Sequence, residues 1–200
     1  IRTTVVSLLI MILPFSGCAD GTGKGEGVKT FTPAADNQFT VRGFHVDLRI
    51  QVMTMEALKS LADDLAGFGI NTLVMEWEAS YPYERHVTIS NELAYTREEV
   101  ASFIGYCDSI GIDVIPLQQC FGHVEYILRH DRYSGLKEDR KDISQLCPLK
   151  EVDDSLLFTD LFTDMASMHN SDFIHIGGDE TYLLGHCAAC SLKAATEGKS

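Results

Sequence analysis

The sequence reads as an α/β chain that supplies about the first four β/α units of a (β/α)8 TIM barrel. Three observations lead there. From residue 41 onward, short apolar runs alternate with segments of helical period. No G-x-G-x-x-G follows the first run, and acidic or amide side chains gather where each run ends. Strands separated by helices form parallel β/α units, a rhythm common to doubly wound sheets and barrels. The missing glycine fingerprint weakens the dinucleotide-binding form of the former. In a barrel the strand ends converge on one mouth, where reactive groups are mounted.

The front of the chain is different in kind. Arg2 precedes the apolar stretch Val5-Val6-Ser7-Leu8-Leu9-Ile10-Met11-Ile12-Leu13, followed by Pro14-Phe15-Ser16-Gly17-Cys18. A positive residue, a short apolar segment and a small-residue exit describe a secretory signal. Small residues directly before a cysteine resemble the bacterial lipobox, although Phe15 stands where Leu is usual. The expectation is a signal over residues 1–18 and lipid on Cys18. That lipid would hold the protein on a bacterial envelope membrane facing periplasm or cell surface, each buried methylene adding roughly 0.8 kcal/mol. Residues 19–37, with glycines at 21, 23, 25 and 27, read as a flexible tether, and 38–200 as the partial barrel.

Within 38–200 the elements follow in order. Residues 41–49 alternate with period two, as a strand does, and Met55, Leu58, Leu61, Ala62, Leu65 and Phe68 then recur at helical spacing before Gly69. Thr72–Met75 is the second strand. Thr96-Arg97-Glu98-Glu99 has the spacing of a capping box and opens a helix facing inward through Val100, Phe103, Ile104, Cys107 and Ile110. Ile112–Leu117 is the third strand. Asp153 or Asp154 is expected to cap a helix carrying Leu156, Leu157, Leu161, Phe162, Met165 and Met168, and Phe173–Ile176 to form the fourth strand. Four units use about 140 residues where a full barrel needs about 250, so half a barrel is expected.

Composition narrows the function. Sixteen Lys and Arg against 29 Asp and Glu leave a net charge of −13, which argues against nucleic acid as a partner. A mean hydropathy of zero suits neither a disordered chain nor a membrane bundle. Cys187-Ala188-Ala189-Cys190 has the spacing of a zinc half-site, which Cys147 or Cys120 would complete in space; buried thiols or a single disulfide weigh more than zinc.

The sharpest signal is His175-Ile176-Gly177-Gly178-Asp179-Glu180. Adjacent carboxyl groups raise one another's pKa, so one stays protonated while the other stays ionised, the division of labour between an acid and its electrostatic partner. The pattern resembles family 20 glycoside hydrolases, the β-N-acetylhexosaminidases. Arg42-Gly43 with Asp47 and Arg49, Gly122-His123, Leu146-Cys147-Pro148 and the Gly185-x-Cys-x-x-Cys190 tail match it in order. The resemblance implies removal of terminal β-linked N-acetylhexosamine from a glycan, through an oxazolinium formed by the substrate's own acetamido oxygen, with no cofactor. It implies that Glu180 is the general acid and base, that Asp179 orients the acetamido group, that Arg42 binds sugar hydroxyls and that His123 positions the acid. Gln119 replaces an acid common at that position, and Met75-Glu76-Trp77-Glu78 replaces the usual segment after strand two, with Glu76 or Glu78 standing in for the missing acid. Gly-Gly-Asp-Glu also opens the diguanylate cyclase signature, but Thr181 stands where Phe is expected. The alternative is a glycan-binding surface lipoprotein that kept the barrel without turnover.

Overall fold

The computed structural model describes residues 39–198. The signal, Cys18 and the whole tether lie outside these residues. Three parallel strands, β1 (Gly43–Asp47), β2 (Thr72–Glu76) and β3 (Asp113–Leu117), pair in the order β1-β2-β3. Their register sets Asp47 level with Glu76, and Glu76 level with Leu117. The carboxyl ends of the strands therefore finish together. Alternation sorts the side chains: Val46, Leu73, Met75 and Val114 enter a core shared with the helices, while His45, Val74, Glu76 and Leu117 face the opposite side.

Two helices on the core side carry the crossovers. α1 (Met55–Gly67) starts at Thr54, whose hydroxyl accepts the Ala57 N–H at 3.2 Å, and buries Leu58, Ala62 and Leu65. α2 (Arg97–Ser109) has the expected capping box: Thr96 Oγ1 accepts the Glu99 N–H at 3.1 Å and Glu99 Oε2 accepts the Thr96 N–H at 2.8 Å. Val100, Phe103, Ile104 and Cys107 form its buried stripe. Gly69 (φ 83°) and Gly111 (φ 78°) supply the left-handed turns that end both helices. After β3 come a short helix α3 (Glu125–Leu128), the longer α4 (Glu151–Ala166) and, past the acid pair, α5 (Ala188–Thr196). No helix among the described residues is long and apolar enough to cross a membrane.

Two expectations need correction. The fourth strand is reduced to a single parallel bridge, Leu117 to His175, held by the Gln118 N–H to His175 O and the His175 N–H to Pro116 O, both 2.9 Å. The left-handed backbone of Gly177 and Gly178 follows directly and ends the extended pairing. The helix expected to be capped by Asp153 or Asp154 begins earlier, at Glu151, with Lys150 at its N-cap and no side-chain cap. Both aspartates lie in its first turn, where the helix dipole favours negative charge.

The long segment between β2 and α2 is pinned to α4 by one buried carboxylate. Asp164 is fully buried; its Oδ2 accepts the Glu84 and Arg85 N–H groups at 3.0 and 3.1 Å, and its Oδ1 pairs with the Arg85 guanidinium. Trp77, also buried, donates to His169 Nε2 at 3.1 Å and meets Tyr95 and Phe103 edge to face. Truncating Asp164 strands two backbone donors and leaves the Arg85 guanidinium only its 3.7 Å pair with Asp160. Asp164→Ala is expected to cost about 3 kcal/mol in urea unfolding. Glu84→Ala, which removes only the exposed 3.1 Å pair with Arg97, should cost under about 1 kcal/mol.

Candidate active site

The strand ends and the loops after them enclose an open cleft of about 470 Å³, bordered by His45, Arg49, Glu76, Gln119, His123 and Asp179. Five carboxylates belong to this end of the sheet: Asp47, Glu76, Glu78, Asp179 and Glu180. Arg49 is the cation among them. Its guanidinium donates to Asp47 Oδ2 from Nη2 at 2.7 Å and from Nε at 2.9 Å, and lies 3.7 Å from Glu76 and 3.9 Å from Glu78. Burial alone would raise the pKa of Asp47, but the bonds from Arg49 outweigh it and hold that carboxyl below its ordinary value.

Arg49 Nη1 also lies 3.3 Å from His123 Nδ1. A guanidinium can only donate, so Nδ1 of a neutral ring is the acceptor and Nε2 carries the proton. Nε2 faces both members of the acid pair, Glu180 Oε2 at 3.0 Å and Asp179 Oδ2 at 3.3 Å. Tyr182 donates to the other Glu180 oxygen at 3.2 Å. One imidazole thus holds two carboxylates whose side chains remain more than half exposed to the cleft side, at 62% and 53%.

The backbone is unusual at the same place. Among the described residues, Glu78 (φ 45°), His123 (φ 55°) and Glu180 (φ 51°) are the non-glycine residues in the left-handed region. All three belong to this site, and such strained residues cluster at functional sites because surrounding structure over-determines them. Gly122 explains part of that constraint: a Cβ there would strike the carbonyl oxygen of Asp179. Gly177 is equally restricted, since a side chain would collide with the Gln119 amide.

Glu76 and Glu78 differ in environment. Glu76 is buried; its Oε1 accepts the Gln119 amide at 2.9 Å and its Oε2 meets His45 Nε2 at 2.9 Å. Gln119 is therefore a neutral donor to Glu76 and spares the site a further charge. Glu78, also buried, has one carboxylate oxygen without a hydrogen bond, and burial followed by repulsion from Glu76 pushes its pKa up to about 9. At neutral pH it is a carboxylic acid.

Arg42 is not brought to this cluster. It precedes β1 at the opposite end of the strand, where its guanidinium donates to Gly69 O and to Phe39 O. The cause is register: Asp47, not Arg42, is level with the mouth. Residues that sequence reasoning left without a role were Arg49, His45 and Tyr182. The signal for the first two was present, since His45, Asp47 and Arg49 alternate along one strand face.

The pattern described as glycosyl hydrolase family 20, catalytic domain, matches residues 39–197. Hexosaminidase D of Bos taurus is 29% identical over 147 residues, covering 72% of this chain and 42% of that protein. Hexosaminidase D of Homo sapiens is 29% identical over 149 residues, covering 74% of this chain and 30% of the human protein. The chain therefore spans less than half the length of these relatives. Among solved structures, the Flavobacterium johnsoniae chitobiase superposes with a TM-score of 0.70 at 20% identity, over 80% of this chain and 27% of that one. The fold is that of a partial (β/α)8 barrel.

The raised pKa of Glu78 has a consequence for stability. Below pH 4.5 the group is protonated folded and unfolded alike; between 4.5 and about 9 only the folded state keeps its proton. Its contribution is therefore lost as pH rises through that window. Glu78→Gln, neutral throughout, is expected to gain stability over the native chain as pH rises, by about 2–4 °C in Tm for each kcal/mol relieved. Thermal unfolding across this range reads the difference, and parallel pH curves for the two proteins would contradict it.

Proposed function

The chain belongs to glycosyl hydrolase family 20, and from that premise we propose that it carries the acid pair of an exo-acting β-N-acetylhexosaminidase. The observation behind this reading is the single imidazole, His123, set 3.0 Å from Glu180 and 3.3 Å from Asp179 at the mouth of the strands. The relatives named hexosaminidase D and chitobiase point the same way. The substrate is a glycan ending in a β-linked N-acetylhexosamine.

Glu180, in its acid form, protonates the glycosidic oxygen as the bond to the anomeric carbon breaks. The substrate's acetamido oxygen attacks that carbon from the other side and closes an oxazolinium ring. Asp179 supports the positive charge that develops on the acetamido nitrogen. Water then opens the ring and gives its proton to Glu180, which is restored for the next cycle. Retention of configuration follows from the two displacements. His123 acts as a positioning residue: its Nε2–H fixes the two carboxylates while Arg49 fixes the ring.

Glu76, which lines this cleft, and Glu78, buried 3.9 Å from Arg49, fit a substrate-binding role. Glu76 offers an acceptor already held by His45 and Gln119. Glu78, when neutral, offers a donor to a sugar hydroxyl. The expected lipid on Cys18 would hold this site at a membrane surface of the cell envelope.

Replacing Glu180 tests the acid role. In the whole protein, Glu180→Gln is expected to lose about 10²–10⁴-fold in kcat on glycans with poor leaving groups. It should retain far more activity on nitrophenyl glycosides, whose leaving oxygen needs little protonation. Equal losses on both would remove Glu180 from the acid role.

A further inference from the structure

Away from the acid pair, three cysteines and a glutamate from separate parts of the chain meet. Cys147 Sγ lies 3.7 Å from Cys187 Sγ and 3.6 Å from Cys190 Sγ, and Cys190 Sγ lies 3.3 Å from Glu138 Oε2. All four donor atoms fall within 4.8 Å of one another. The three sulfurs are free thiols, and Glu138, Cys147 and Cys190 are buried.

We propose that Glu138, Cys147, Cys187 and Cys190 form a structural zinc site. The spacing is that of a tetrahedron: a zinc–sulfur bond of about 2.3 Å sets neighbouring sulfurs about 3.8 Å apart. Soft thiolates with one carboxylate select zinc over magnesium or calcium. The supporting contacts are also those a metal site needs. The Cys190 N–H donates to Cys187 Sγ at 3.3 Å, and the Cys187 N–H donates to Glu138 Oε1 at 3.1 Å. Both N–H groups belong to the first turn or N-cap of α5, a nine-residue helix whose dipole favours anions there. Lys137, Lys141 and Lys150 border the same region and offset the surplus negative charge. The buried Glu138 has no ion-pair partner among the described residues; its hydrogen bonds come from the Cys187 N–H and from Cys190 Sγ, so its charge faces the thiols alone.

The placement gives the metal a structural purpose. Glu138 and Cys147 each directly follow one member of the Lys137–Leu146 bridge, in the connection after β3. Cys187 and Cys190 open α5, directly after the loop bearing Asp179 and Glu180. Zinc would staple those two connections together, and Gln145 already reaches across to accept the Leu183 N–H at 2.8 Å. The tie is independent of which reaction the acid pair performs.

The test is metal content and spectroscopy on the full chain purified without added metal. About one zinc per chain is expected, released by a strong chelator with a fall in Tm. Cobalt exchanged into the site should show thiolate-to-cobalt charge transfer and the visible bands of tetrahedral coordination. Cys147→Ser is expected to lose most of the zinc, while Cys120→Ser, outside the cluster, should keep it. Should Cys147→Ser fail to fold for other reasons, the cobalt spectrum of the native chain decides independently. A chain free of metal whose three cysteines titrate as thiols would overturn the proposal. So would a disulfide between any two of them, or zinc retained equally in both variants.

Discussion

Arg49 is the interaction on which the site depends. Parallel register brings Asp47 and Glu76 level, and the turns beyond them add Glu78, Asp179 and Glu180 to the same end of the sheet. Carboxylates gathered at this density repel unless charge is neutralised or a proton is held. The structure uses both routes. Arg49 binds Asp47 through two nitrogens and extends to His123, while Glu78 remains protonated to about pH 9. A guanidinium suits this place because it cannot lose its proton and donates in several directions at once.

From Arg49 the order passes outward. Its bond to His123 Nδ1 fixes the ring's tautomer, and the ring's other nitrogen collects Asp179 and Glu180. The loop bearing that pair is held against the backbone beside His123, where only a glycine at 122 leaves room for the Asp179 carbonyl. Strain at Glu78, His123 and Glu180 is sustained by these contacts together. The cysteine cluster, at the far end of the same loop, adds a second anchorage beyond the reach of Arg49.

Much of this was legible in the sequence, for identifiable reasons. Helix α1 was readable from its apolar spacing and the glycine that follows it, and α2 from its apolar spacing and its capping box. The acid pair was readable because two glycines and a strand-like run precede it. Less legible was whatever depended on contact across the chain. Phe173–Ile176 has the composition of a strand, yet pairing at His175 alone leaves Phe173 and Ile176 exposed. Arg42 has suitable chemistry but stands at the wrong end of β1. Gln119 looked like a lost acid; its amide in fact serves Glu76 across the neighbouring strand. The thiol cluster could be half seen in the C-x-x-C spacing, but the choice of Cys147 over Cys120 and the part of Glu138 are set by tertiary packing.

The proposed reaction uses the sugar's own acetamido oxygen as the nucleophile, with Asp179 and Glu180 arranged around it. The most direct measurement compares kcat/KM in the whole protein for aryl glycosides whose 2-acetamido group is progressively fluorinated. Fluorine withdraws electron density from the carbonyl oxygen and leaves the leaving group unchanged. A steep fall in kcat/KM with each added fluorine is expected. A rate indifferent to fluorination would contradict it, since the reaction would then not use the acetamido oxygen at all.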